Sequence, residues 1–423
     1  MRCGGRSCND FPNEVHLEMM MSTKERTAVI VAAARLPTGR FMGGLSSLQA
    51  SELGARAIKA TVERSGVPSG DIDEVIMGNV LQAGVGQAPA RQAALRGGVP
   101  ETVPAVTINK VCGSGLKAVM LAAQAIRAGD AEVLVAGGME SMSNAPYLMR
   151  GHRGGVKFGD DALTDALIHD GLWCSFGTCH MGGHAEYTAH KAGVSREDQD
   201  DFAYLSHQRA IRAMDDGEFE AELISVEIQT RKGALTVDVD EGPRRETSLE
   251  ALARLKPAFV GDAPPEVIQP SVTAGNAPGL NDGAAATVVT TEAYAEANGL
   301  SILGRIRAYA VGATAPKDLF FAPVAAVNNL MERDGTQIGD YDLVEMNEAF
   351  AVQTLADARA LELDLDRVNV RGGAIALGHP IGASGAKILT TLLFGMRDRD
   401  AERGLVTLCL GGGNAVALSV ERA

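Results

Sequence analysis

Aromatic side chains are scarce: Phe, Trp and Tyr together make up 4% of the 423 residues, and there is one Trp. So few large rings, against 46% hydrophobic residues and 49 glycines, disfavour a β-sandwich and favour small-residue interiors of layered α/β type. Cysteine is sparse as well. Cys3, Cys8, Cys112, Cys174, Cys179 and Cys409 show no framework spacing, which excludes a disulfide-built scaffold and points to free thiols in a reducing compartment, the cytoplasm. No apolar run approaches the length of a membrane span. Positive charge is in deficit, with a formal net charge of −14. Phosphates would be repelled, so nucleic acid is not an expected partner, and an anionic ligand needs a local basic patch. The first twenty residues lack an apolar core and carry Asp10, Glu14 and Glu18, which disfavours a targeting peptide. Strand-like sequence starts at Thr27, so residues 1–26 read as a leader, with a start at Met21.

What is present is alternation. TAVIVAAA (27–34) reads as a buried strand, 48–64 as a helix stopping near Gly66, and 103–108 as a strand. Leu116, Val119, Met120, Ala123 and Ile126 recur at helical spacing up to Gly129, and 133–136 is strand again. Further on, 305–311, 342–346 and 405–410 are strand-like, while 323–332, 349–361 and 385–396 are helix-like. Strand–helix alternation predicts an α/β fold.

The two ends also resemble each other. DIDEVIMGN (71–79) matches DYDLVEMNE (340–348), GSG (113–115) and ASG (383–385) each open a helix, and each helix leads to an apolar strand running into glycines. Two similar α/β units could share these features by composition alone; the matching order of three elements favours an internal duplication. Between the halves, 142–280 is more polar, with REDQD (196–200) and EGPRRE (241–246), and reads as a loop-rich insertion covering a ligand site.

Four segments set a polar reactive group at the end of a buried strand, where open α/β sheets place their ligands. Cys112, in INKVCGSGLKAVM, stands where a strand ends and a helix starts. A helix N-terminus favours the thiolate, which is the nucleophile; the alternative is a buried structural cysteine. His379, in GGAIALGHPIGASG, is held between Gly378 and Pro380 and could take and return a thiol proton, or be a structural histidine. Cys409 precedes three glycines whose N–H groups could face an oxyanion; alone it reads as a small buried hydrophobe. Asn347, in MNEAF, could orient a water or cap the following helix. GVGQAP (84–89) and GASGAK (382–387) miss the dinucleotide and phosphate-loop patterns. Cys174, Cys179 and His180 lack paired CxxC spacing and a fourth metal ligand, so no metal is expected.

From about Arg26 to the C-terminus these segments resemble the thiolase family: NKVCGSGLKAV, GGMESMS, NEAF, GGAIALGHPIGASG and CLGGG stand in that family's order. The stretch around Cys112 is more similar to biosynthetic acetyl-CoA acetyltransferases than to long-chain degradative members. The resemblance implies duplicated βαβαβ halves packed as α-β-α-β-α layers, with a loop-rich covering domain. The halves would be 27–141, with 281–301 returning to it, and 302–423; 142–280 would be the cover. It implies that Cys112 carries an acetyl group, that His379 activates it, and that Cys409 removes an α-proton from a second acetyl-CoA. His379 with a water on Asn347, and the N–H groups of Cys112 and Gly411, would form two oxyanion holes. His180, Met181, Arg244, Leu319 and Phe350 would contact the CoA ester. Acetyl-CoA, acetoacetyl-CoA and CoA are then substrates, no cofactor or metal is needed, and a homodimer or homotetramer is expected. The chain departs from the family pattern at Pro278 (usually Ser), at 319–322 (LFFA for Met-Gly-x-Gly) and at Asn414 (often Gln). Competing implications are a degradative 3-ketoacyl-CoA thiolase and an inactive acyl-CoA or lipid carrier. A decarboxylating ketoacyl synthase is disfavoured, because it uses a second His where Cys409 stands.

Overall fold

The first apolar run forms a strand, β1 (Ala28–Arg35), buried over its whole length. The computed structural model describes residues 26–155, 157–231 and 233–423; the expected leader, Arg26 apart, lies outside the described residues. Then come α1 (Ala50–Ser65), closed by Gly66 at φ 72°, β2 (Glu74–Gly78) and β3 (Ala105–Ile108). The helix after Cys112 is α2 (Ser114–Ala128), closed by Gly129 at φ 84°, and β4 (Val133–Ser141) follows. The middle segment supplies α3 (Met181–Ala192) and α4 (Arg196–Asp215). The rest comprises β5 (Asn281–Thr291), β6 (Gly304–Ala313), α5 (Ala322–Asp334), β7 (Leu343–Met346), α6 (Ala351–Ala360), α7 (Ser384–Asp398), β8 (Arg403–Leu410) and β9 (Asn414–Glu421).

Strand pairing repeats the duplication seen in the sequence. Among the described residues the strands run β7-β8-β9-β6-β1-β5-β4-β2-β3, with the short strand Gly39–Arg40 added on β5. In the first half β3 and β2 are parallel, as are β2 and β4, while β5 and then β1 are antiparallel. In the second half β7 and β8 are parallel, and β9 and then β6 are antiparallel. Val368 bridges Val344 in parallel, in the place that β3 holds in the first half. The halves meet where Val29 and Ile30 of β1 pair with Arg305 and Gly304 of β6.

Packing then gives the layers. Leu116, Met120 and Ile126 of α2 share one cluster with Leu389, Leu392 and Met396 of α7 and with strands of both halves. The two helices approach closely at equivalent glycines. A Cβ on Gly115 would stand 2.8 Å from Ala386 N, and one on Gly385 would overlap Leu116 N. α1 packs Leu53 and Ile58 on the outer face of the first half, and α5 packs Val327 and Leu330 on that of the second. The order α1, sheet, α2 with α7, sheet, α5 is the expected α-β-α-β-α stack.

The middle segment is less irregular than its sequence implies. REDQD is the first turn of α4: Ser195 and Asp198 form a reciprocal capping box, so the charges mark a helix start rather than a loop. The face that α4 buries is mixed (Phe202, Ala203, Ser206, His207), which hides its periodicity. The segment is tied to the core by charge. Arg35, fully buried at the end of β1, donates to Glu222 at 2.5 Å and to both oxygens of Asp240 at 2.8 and 2.9 Å. Such a buried group is stable only while every partner is present.

Candidate active site

Cys112 sits on a turn held by its own side chains. Val111 N–H donates to Asn109 Oδ1 at 2.9 Å, Lys110 N–H to Ser114 Oγ at 2.8 Å, and Ser114 Oγ–H to Val111 O at 2.6 Å. The turn forces Val111 to φ 46°, where a β-branched residue is strained. The thiol then stands just before Gly113, the N-cap of α2. Here the sequence expectation needs correction. Burial pushes the Cys112 thiol up to about 12, nearby Glu140 adds to the rise, and only the backbone N–H opposes it. The helix terminus does not overcome desolvation, so the resting group is a thiol.

His379 follows Gly378, which has φ 89°. Its N–H donates to Asn281 Oδ1 at 2.8 Å, and its Nδ1 lies 2.6 Å from Ser384 Oγ. Ser384 Oγ–H is directed to Pro380 O at 2.9 Å. The hydroxyl therefore accepts from Nδ1–H, which leaves the lone pair on Nε2. Burial, then the charge of Lys387, lowers His379 to about 3, so the ring is neutral. Lys387 reaches the same turn, with Nζ donating to Gly378 O at 2.8 Å.

Asn347 is the residue after β7 and is 1% exposed. Its Nδ2 lies 3.5 Å from His379 Nε2, at the long limit of a hydrogen bond. The capping alternative does not apply. α6 starts at Ala351 on Phe350, with no side-chain cap, and Asn347 Oδ1 is buried without a partner among the described residues. Cys409 lies in β8 opposite Ala415 of β9, 2% exposed. Burial first, then Cys112 and Asp357, hold its thiol well above the ordinary range. Gly411 follows, and Gly412 and Gly413, at φ 83° and 84°, turn the chain into β9.

Cys112, His379, Cys409 and Gly411 line one cavity of about 290 Å³, together with His180, Met181, Leu319 and Phe350. Asn347 stands behind His379, outside the lining. Arg244 is elsewhere: it is exposed on a second cavity of about 410 Å³, which shares Ala277, Gly279 and Leu280 with the first. Adjacent Arg245 is committed to Asp215 at 2.5 Å. Sequence reading overlooked four contributors. Phe259 stacks on His180 at 4.7 Å and meets Phe350 edge-on at 6.1 Å, while Phe350 meets Phe320 at 5.3 Å, so four rings wall the cavity. Ser384 and Lys387 fix the His379 turn from α7. Glu140 accepts from Asn79, Val80, Leu81 and Gly382, joining the end of β4 to that turn. In a chain with so few aromatics, a Phe inside a polar insertion was the one available signal for Phe259.

Residues 28–293 match the model of the thiolase N-terminal domain, and residues 300–422 that of the thiolase C-terminal domain. The chain belongs to the thiolase family. It is 53% identical over 395 residues to an acetyl-CoA acetyltransferase of Pseudomonas aeruginosa, covering 93% of this chain and 99% of that one. It is 50% identical over 398 residues to an acetyl-CoA acetyltransferase of Escherichia coli, covering 94% and 99%. The crystal structure of the Bacillus anthracis acetyl-CoA acetyltransferase superposes with a TM-score of 0.91 at 39% identity, covering 95% of this chain and all of that one. In this thiolase no helix among the described residues is long and apolar enough to cross a membrane. Among the same residues, no group of three or more His, Cys, Asp and Glu could hold a metal ion.

Proposed function

We propose that this thiolase is an acetyl-CoA C-acetyltransferase, joining two acetyl-CoA into acetoacetyl-CoA and CoA, reversibly, through an acetyl group on Cys112. The observation that carries the reading is that the thiols of Cys112 and Cys409 and the neutral imidazole of His379 face one ring-walled cavity. As Cys112 Sγ attacks the thioester carbon, its proton passes to His379 Nε2. The bond from carbon to the CoA sulfur breaks, and CoA leaves with that proton. Cys409 first passes its own proton to the vacated His379 Nε2 and, as thiolate, removes an α-proton from the second acetyl-CoA. The carbanion attacks the acetyl carbon, the bond from that carbon to Cys112 Sγ breaks, and that sulfur takes the proton held by His379. Thiol and imidazole both rest neutral because both are desolvated in the cavity, so charge develops only as the reaction proceeds. His379 with a water on Asn347, and the N–H groups of Cys112 and Gly411, are the proposed donors to the two oxyanions. These are proton and acyl transfers, for which the CoA esters are substrates and no cofactor is required.

The finer assignments belong to the same reading. His180, Met181, Leu319 and Phe350 contact the ester in the main cavity, and Arg244 contacts the nucleotide end from the neighbouring one. The three-part division of the chain at 142 and 281, with β5 returning to the first half, is supported by the pairing of β5 with β1 and β4. A homodimer or homotetramer is supported by the large hydrophobic side chains left exposed at Tyr147, Met149, Phe158 and Leu163. The cytoplasm is supported by free thiols at Cys112, Cys174, Cys179 and Cys409.

The test is direct. After incubation with acetyl-CoA and trypsin digestion, the peptide of residues 111–117 should gain one acetyl group, and Cys112→Ser should abolish both label and turnover. A label confined to another cysteine refutes the assignment.

A further inference from the structure

The hairpin that leads into α3 carries two cysteines that the proposed condensation does not use. Its strands, Trp173–Cys174 and Cys179–His180, are antiparallel, with Cys174 directly opposite Cys179 and both thiols free. Cα atoms so paired are about 4.5–5.5 Å apart, within the roughly 4.4–6.8 Å that a disulfide spans. Three groups converge on Gly177 in the turn between them. Its N–H donates to Cys174 Sγ at 3.2 Å. A Cβ placed on it would stand 3.3 Å from Cys179 Sγ and 2.9 Å from His184 Nε2. His184, on α3, is 5% exposed, and its Nε2 is buried with no hydrogen-bond partner among the described residues. Cys179 is partly exposed on a surface cavity of about 560 Å³ that His184 also lines, whereas Cys174 is buried. One thiol is therefore open to small solutes, the other lies opposite it in register, and an unpartnered imidazole nitrogen faces the same turn glycine.

We propose that Cys174 and Cys179 form an oxidisable dithiol that a hydroperoxide converts to a disulfide, with Cys179 attacking, His184 Nε2 taking its proton and Cys174 resolving. Cys179 Sγ attacks the peroxide, the O–O bond breaks, and an alcohol leaves with the proton held by His184. The resulting sulfenic acid is attacked by Cys174 Sγ, the S–S bond forms, and water leaves. Two thiols lose two electrons and two protons, and the peroxide gains them. Burial, then Cys174 and Asp262, push the Cys179 thiol up, so the neighbouring base governs how readily the thiolate forms. The hairpin reports to the main cavity. Cys179 adjoins His180, whose N–H is held by Asp262 at 3.0 Å, and His180 and Met181 line the cavity of Cys112. A disulfide at this point restrains that wall.

The full chain, treated with hydrogen peroxide, alkylated and digested with trypsin, is the test. Residues 158–191 form one tryptic peptide that holds both cysteines. It should become two hydrogens lighter and resist alkylation, and dithiothreitol should reverse both changes. His184→Gln should slow this about tenfold, as expected for one unit more of thiol pKa. Peroxide also threatens Cys112, so kinetics compare wild type with Cys174→Ser, whose basal activity should be unchanged. Loss common to both belongs to Cys112 or Cys409. A KM for acetoacetyl-CoA raised about fivefold or more, reversible and confined to wild type, belongs to the pair. This kinetic arm rests on the proposed function; the mass measurement does not. If both cysteines remain open to alkylation, or Cys179 is oxidised while Cys174 still alkylates, the dithiol is overturned. If oxidised wild type and Cys174→Ser share one KM, the link to the cavity is overturned.

Discussion

Cys409 and Cys112 differ in what surrounds them rather than in chemistry. Cys112 adjoins the strained Val111 turn at the start of α2, whereas Cys409 is locked mid-register between β8 and β9. A thiol held well above its ordinary range is a poor acid and, once deprotonated, a strong base. Cys409→Ala should therefore lower condensation by at least about a hundredfold, the lower end for a lost general base, while acetylation of Cys112 survives. Equal loss in the two assays would make Cys409 structural. Arg244 poses a different question, since it lines the second cavity instead of the first. A contact made equally in ground and transition states affects binding alone, so Arg244→Ala should raise the KM for acetyl-CoA and leave kcat nearly unchanged. An unaltered KM would mean that Arg244 serves only the solvent face. The residue names were legible in the motifs. The protonation states were not, because desolvation depends on neighbours far away in the chain, such as Lys387 and Glu140.

The short 3-10 turn Pro316–Phe321, just before α5, carries adjacent rings with opposite surroundings. Both rings belong to the LFFA departure from the family pattern at 319–322. In the structure Phe320 is 2% exposed and lines the cavity, while the ring of Phe321 lies 5.0 Å from Lys191 Nζ, outside the lining. The enzyme should have a higher kcat/KM for acetoacetyl-CoA than for 3-ketooctanoyl-CoA. Phe320→Ala should narrow that gap at least about tenfold, since pocket fit is worth roughly 1–3 kcal/mol per methylene. Phe321→Ala should leave the ratio unchanged. Faster cleavage of the eight-carbon substrate by the unaltered enzyme would favour the degradative reading. The helices α3 and α4 pose the converse problem for sequence reading. Their buried faces are built partly of His184, Glu186, Ser206 and His207, so hydrophobic periodicity cannot reveal them.

Over the whole molecule, buried ionisable groups of two kinds set the response to pH. His207 and His379 are lowered by burial to about 4 and 3 from 6.5. Their contribution is present above 6.5 and is lost as pH falls to those values, because the unfolded chain binds the protons first. Glu140 and Glu345 are raised by burial to about 7 and 8 from 4.5. Theirs is present below 4.5 and is lost as pH rises through 7 and 8, because the unfolded chain gives up the protons first. Between 4.5 and 6.5 the two trends oppose each other. Lys387, lowered by burial to about 8 from 10.5, opposes part of the loss at higher pH, so resistance to urea should be greatest between 4.5 and 6.5 and fall on either side, by on the order of 2 kcal/mol from pH 6.5 to 8.5. Stability that keeps rising between those two pH values would show that Glu140 and Glu345 are ionised in the folded protein.

The sequence by itself determined the alternation of strands and helices in the two halves, the duplication and the candidate reactive residue types. Those features are local or repeated, as in the apolar run of β1, the Gly66 and Gly129 stops, and the two small-residue helix openings at 113–115 and 383–385. Tertiary structure decided which way each group faces and what charge it carries. The ring wall joins Phe259, Phe320 and Phe350 from separate elements, Arg35 finds Glu222 and Asp240 some two hundred residues away, and the Cys112 thiol is governed by burial rather than by its helix. Facing and desolvation are properties of assembled layers, and no window of sequence contains them.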